Sequence, residues 1–191
     1  MSNLPLLGRS DLNAEQKELW DYILKGPRGV GLGESIKFLP GPFNPWMQIP
    51  SFGKVAAEMG ERLRFHSELS GKHRELAILT TSAHWKAQFE FWAHSRMARA
   101  GGLPDSVINA LRAGTPVPYE DDQQRLVHMI SKDLVETGRP RTHLAEQLAD
   151  GLGLPAVVEL VALVGFYCMV SFTLNAFDVP LPEGVAPVSK R

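Results

Sequence analysis

Cysteine is almost missing from this chain of 191 residues: Cys168 is the only one. One thiol cannot bridge its own chain, so no disulfide framework is available, and the expected setting is a reducing, cytoplasmic compartment. An excess of either charge is missing too. Lys and Arg number 20 against 21 Asp and Glu, a net charge of −1, and no basic cluster is interleaved with aromatics. Neither a nucleic-acid nor a membrane partner is expected. The opening MSNLPLLGRSDLN has no basic segment followed by a long apolar run, so no signal peptide is expected. No period-two alternation of convincing length occurs, which leaves an all-α fold. HExxH and Glu-x-x-His pairs are absent. With them go the common zinc and di-iron helical signatures, and neither a metal nor another cofactor is expected.

What is present suits one soluble domain over residues 1–191, with 44 % hydrophobic and 21 % charged residues. Asn13 caps a first helix over 13–25, and Gln16 completes a capping box. Residues 26–50 are rich in Gly and Pro and carry Phe38, Phe43 and Trp46. No helix fits them, and they are expected as a long loop, packed on the body or walling a pocket. A helix over 51–64 follows, with Val55, Met59, Leu63 and the neighbouring alanines as its apolar stripe. Residues 71–102 read as one long helix ending at Gly101-Gly102. Shorter helices are expected over 105–113, 119–137 and, capped by Thr142, to 152. The last helix, 155–175, is almost wholly apolar. Glu159, Ser171, Thr173 and Asn175 interrupt it, so it reads as the most buried helix of the core rather than a membrane span. The Pro-rich tail, 179–191, is expected to be extended. The count comes to about six to seven helices.

The residues capable of chemistry concentrate in 71–102. Glu90 and His94 are four apart, so they project from one helical face within mutual reach. A carboxylate beside an imidazole raises its pKa, orients it and makes a proton-transfer pair. Trp85, Phe89, Phe91 and Trp92 surround them in sequence and predict packing rather than solvation. Glu75 lies fifteen residues before Glu90: four turns away on a straight helix, nearby on a broken one. A plainer account of Glu75 is complementation of a helix dipole. His66, His73, His84, His128 and His143 are weaker candidates. Cys168, between Tyr167 and Met169, reads as inert packing.

Three segments carry a family resemblance: Arg74-Glu75-Leu76-Ala77-Ile78-Leu79, then Phe89-Glu90-Phe91-Trp92-Ala93-His94, then Gly101-Gly102-Leu103. With the closing helix around Gly165-Phe166-Tyr167, the chain from about residue 42 to 180 resembles the carboxymuconolactone decarboxylase family, which includes the alkylhydroperoxidase-D-like proteins. The resemblance implies a helical bundle of that type, assembled as a trimer or hexamer. Redox members carry an acidic residue, a Cys-x-x-Cys pair and a His four residues on. Here these positions fall on Glu75, Ala87, Glu90 and His94, so both thiols are missing. Peroxide reduction needs a thiolate, and the resemblance therefore implies the decarboxylase-like branch: a cofactor-independent lyase of aromatic-compound catabolism acting on a small organic acid or lactone.

In that reading His94 shuttles a proton, Glu90 orients it and Glu75 supplies a second carboxylate. Arg74 or Arg64 holds a substrate carboxylate. Trp46 and Trp92 wall the site, and Ala87 lines it. Two alternatives stand beside it: a peroxidase family label without redox cysteines, and a non-catalytic oligomeric binding protein.

Overall fold

The computed structural model describes residues 4–29, 36–182 and 184–185. Among them every regular element is helical. Their contacts divide into two compact units.

One unit takes in the described residues up to His66 together with Thr173–Val179. Its helices are α1 (Ala14–Lys25), the single turn α2 (Phe43–Trp46) and α3 (Pro50–Phe65). Asn13 caps α1 through the expected capping box with Gln16. The expected helix-free loop contains α2, whose Phe43 and Trp46 are buried edge to face, 5.7 Å between ring centroids. The part of that loop at 30–35 lies outside the described residues. The stripe expected on α3 is corrected: Leu63 is buried, but Val55 and Met59 face solvent. The alanines of the stripe, Ala56 and Ala57, are buried as expected, and Gly53 and Gly60 with them. Small residues let α3 approach its neighbours closely, and a Cβ on Gly53 would come within 2.6 Å of the Leu19 side chain and 2.8 Å of the Trp46 carbonyl.

The second unit takes in Ser67–Phe172 and the described residues from Pro180. It holds α4 (Gly71–His84), α5 (Gln88–Ala100), α6 (Asp105–Ala113), α7 (Asp122–Thr137), α8 (Thr142–Leu152) and most of α9 (Leu154–Ala176). α4 is the hub, packing against α5, α6 and α7, and α8 packs on α7. Leu76, Ala77, Ile78 and Leu79 on α4 are fully buried. Thr80 and Thr81 turn their hydroxyls back to the Leu76 and Ala77 carbonyls, so no buried oxygen is left wanting there. Asp121 caps α7 by accepting from the Gln124 amide. Thr142 is not the cap of α8 but its first residue; Arg141 holds that place, tied to Asp133 on α7 through both its backbone amide and its guanidinium.

The single long helix expected over 71–102 is broken. α4 stops at His84, and Lys86 turns into the left-handed region at φ +53. The Lys86 amide donates to the Ala83 carbonyl and the Ala87 amide to the Ser82 carbonyl at 2.9 Å. This is a Schellman-type stop with lysine where glycine is usual. Trp85 anchors the turn: its indole donates to Cys168 Sγ at 3.2 Å and packs edge to face on Phe172.

α9 is also less buried than its composition predicts. Among the described residues it is the one helix long and apolar enough to cross a membrane, and half of that stretch is buried in the protein. Leu160, Leu163 and Tyr167 are buried, whereas Leu154, Val158, Val161 and Phe172 are exposed along the opposite side.

Candidate functional site

The break at Lys86 brings α4 and α5 into contact and sets Glu75 opposite His94. His94 Nδ1 lies 2.6 Å from Glu75 Oε2, and His94 Nε2 lies 2.8 Å from Glu90 Oε1. The imidazole is thus held between two carboxylates, and all three side chains are buried, His94 being 4 % exposed. Tyr167 stands edge-on to the ring, 5.1 Å between centroids. Glu75 is past the first turn of α4, so dipole complementation does not account for it. Glu90 is the residue in a first helical turn, that of α5, where the positive end of the helix favours a carboxylate.

The contacts fix the proton inventory. A carboxylate only accepts and a neutral imidazole has one N–H, so two N···O contacts at hydrogen-bond length need two protons among three groups. Burial alone would hold the ring neutral. The charges of Glu75 and Glu90 and their hydrogen bonds outweigh it and hold His94 above the ordinary imidazole range. Arg74 Nε, 3.6 Å from Glu75 Oε1, adds a positive charge on one side. That Nε is itself buried without a hydrogen-bond acceptor.

Of the residues expected to act together, the structure gathers Glu75, Glu90, His94 and Arg74. Ala87 is buried at the N-cap of α5 and offers no side-chain cap. Trp92 points elsewhere: with Phe91, Arg96, Arg99 and Arg112 it lines a pocket of about 90 Å³ that includes none of the triad. Trp46 and Arg64 belong to the other unit. Trp46 is buried there, its indole donating to Thr173 Oγ1 at 3.4 Å, and the Arg64 guanidinium lies 5.0 Å over the Phe65 ring.

The remaining titratable groups separate clearly. His66, His84 and His143 are exposed. His73 is buried, and burial lowers its pKa. His128 Nδ1 is 2.7 Å from the Tyr119 hydroxyl, and burial pushes its pKa down to about 4. Burial pushes the Cys168 thiol up, against the Trp85 hydrogen bond. A thiol held protonated is a poor nucleophile.

Sequence reasoning missed Tyr167 as a neighbour of His94, and no spacing signals it. It also missed the arginine-lined pocket, although Trp92, Arg96 and Arg99 follow the i, i+4, i+7 rule of one helical face. The chain matches no protein-family model and no curated protein.

Proposed function

We propose that the chain is a cofactor-independent acid–base enzyme, a lyase or isomerase acting on a small organic acid or lactone, of the carboxymuconolactone decarboxylase type. The observation that carries this reading is the buried imidazole bonded at both nitrogens to carboxylates. Taking three ionisable groups out of water costs several kcal/mol, and a positioned group that can give or take a proton is what proton transfer at carbon requires. The Nε2 side is the working side. Its contact is the longer of the two, and its partner Glu90 sits beside the Lys86 turn at the end of a helix. Glu75 holds Nδ1 and fixes the ring. The unsatisfied Nε of Arg74 supplies a donor for a substrate carboxylate. Decarboxylation beside a carbonyl follows if the developing enolate takes its proton in place from the His94–Glu90 pair. Assembly into a homo-oligomer, trimer or hexamer, draws support from the exposed apolar side of α9, and a cytoplasmic setting from the single cysteine.

Burial supports a second reading, in which the triad is a structural clamp between α4 and α5 in a non-catalytic oligomer. The two part in one experiment: β-keto acids and γ-lactone acids are screened for CO₂ release with the natural chain and with His94→Gln. The enzyme reading requires turnover that His94→Gln abolishes. Undiminished turnover in the variant removes His94 from the chemistry, and no turnover on any acid leaves the clamp.

A further inference from the structure

We propose that the pocket lined by Trp92, Arg96, Arg99 and Arg112 is a binding site for a small oxyanion, a carboxylate or phosphate headgroup, distinct from the triad. Arg96 is two residues from His94, so it leaves α5 roughly 200° around the helix axis from the ring. Three guanidiniums line a pocket of about 90 Å³ that, among the described residues, no carboxylate lines. Among the described residues only Arg99 of the three has an anionic partner, Asp105 Oδ1 at 2.6 Å. The other two rest on aromatic faces: Arg96 is 5.4 Å from the Trp92 ring centroid and Arg112 is 5.4 Å from that of Phe91. Stacking fixes the plane of a guanidinium and leaves its N–H edge directed outward, the arrangement that grips planar oxyanions.

Arg112 adds the second observation. Its Nε is buried and has no acceptor. A buried donor without a partner is costly, more so when charged. The one nearby hydroxyl, Ser95 Oγ, is committed to the Phe91 carbonyl at 2.6 Å. An oxyanion in the pocket satisfies that donor and relieves the repulsion among the three cations together. The volume is well below the roughly 300 Å³ where drug-sized ligand sites begin, so the occupant is a headgroup rather than a nucleotide or ring cofactor.

The test is an NMR titration of the full-length, ¹⁵N-labelled chain, following the Trp92 indole and Arg112 Nε–H signals. Sodium phosphate and sodium acetate are added against sodium chloride at constant ionic strength. At least one oxyanion should shift both signals saturably where chloride does not, and which of them saturates first identifies the headgroup. Arg96→Gln, at an exposed position, should weaken binding about tenfold, as loss of a charge-assisted hydrogen bond does, with an unchanged melting temperature. Arg112→Gln should weaken it further. Absence of saturable shifts with both anions, equal shifts with chloride, or full affinity in both variants overturns the proposal.

Discussion

His94, buried, and His128, half-buried, are imidazoles of the same helical unit, and they lie on opposite sides of the ordinary histidine value. His128 shares one hydrogen bond with a neutral phenol. Burial lowers its pKa to about 4, and Lys132, one turn on, adds to the effect. His94 is the more deeply buried, and burial pulls it the same way, yet Glu75 and Glu90 carry it above its ordinary value. Burial sets the direction only where no opposite charge shares the space. A phenol leaves a half-buried histidine neutral; two carboxylates leave a buried one charged, with protons to exchange.

The comparison breaks most sharply at His94 itself. His94→Gln leaves two carboxylates buried without their cation. It should cost about 3–5 kcal/mol in urea unfolding and lower turnover by about 10²–10⁴. His128→Gln should leave turnover unchanged. The triple change Glu75→Met, His94→Phe, Glu90→Met removes the three charges of the triad at once and leaves only the half-buried Arg74 beside it. It should unfold at a urea concentration close to, or above, that of the natural chain, because apolar replacement of a buried ionic cluster is often neutral or stabilising. It should also be inactive. A triple variant that keeps its turnover would sink the proton-transfer reading.

The pH dependence of stability sharpens the same contrast, because the two histidines act on opposite limbs. His94 has a folded pKa above the unfolded 6.5. Its contribution is complete below about pH 6.5 and is lost as the pH rises through the folded value. His128 has a folded pKa of about 4 against 6.5 unfolded. Its neutral state favours the fold fully above pH 6.5, and that advantage falls away between pH 6.5 and about 4. At 1.36 kcal/mol per unit, the His128 limb is worth roughly 3 kcal/mol. His73, also lowered by burial, loses stability in the same direction. Urea midpoints across pH should show His128→Gln flattening the acid limb and His94→Gln the alkaline limb, the latter also adding an acid-side rise as the uncompensated Glu75 and Glu90 take up protons. An acid limb unchanged by His128→Gln would mean that His128 protonates as readily in the fold as out of it.

Much of this was open to sequence reading where local rules decide. The all-helical class, the Asn13–Gln16 capping box, the limits of α6 and the Glu90–His94 pair follow from spacing and composition. Where packing decides, the sequence misleads. On α3 Leu63 and the alanines beside Val55 are inside as expected, but Val55 and Met59 face solvent, and Gly53 and Gly60 are inside because the approach is close. α9 is apolar all round, and no periodicity distinguishes its buried Leu163 from its exposed Val161. The partnership of Glu75 with His94 was left open for a more particular reason: between them stand no glycine and no proline to announce a break. The turn uses Lys86, and its cause lies in contacts distant in sequence, such as Trp85 on Cys168 and Phe172.

That turn separates the two histidines in one more way. His128 meets Tyr119 from the stretch just ahead of its own helix, whereas His94 meets Glu75 only because Lys86 adopts a left-handed conformation at φ +53. A non-glycine residue there costs roughly 1 kcal/mol through its Cβ. Lys86 is exposed and makes no ion pair among the described residues, so Lys86→Gly removes the side chain and little else. The extra freedom of glycine in the unfolded chain offsets part of the gain. Lys86→Gly should still raise stability by about 0.5 kcal/mol in urea unfolding, with an unchanged denaturant slope and an unshifted His94 imidazole signal. Lys86→Val should lower it, since a branched Cβ fits that region worst. Destabilisation by glycine would mean that the lysine side chain, rather than the Trp85 anchor and the Schellman bonds, holds the turn.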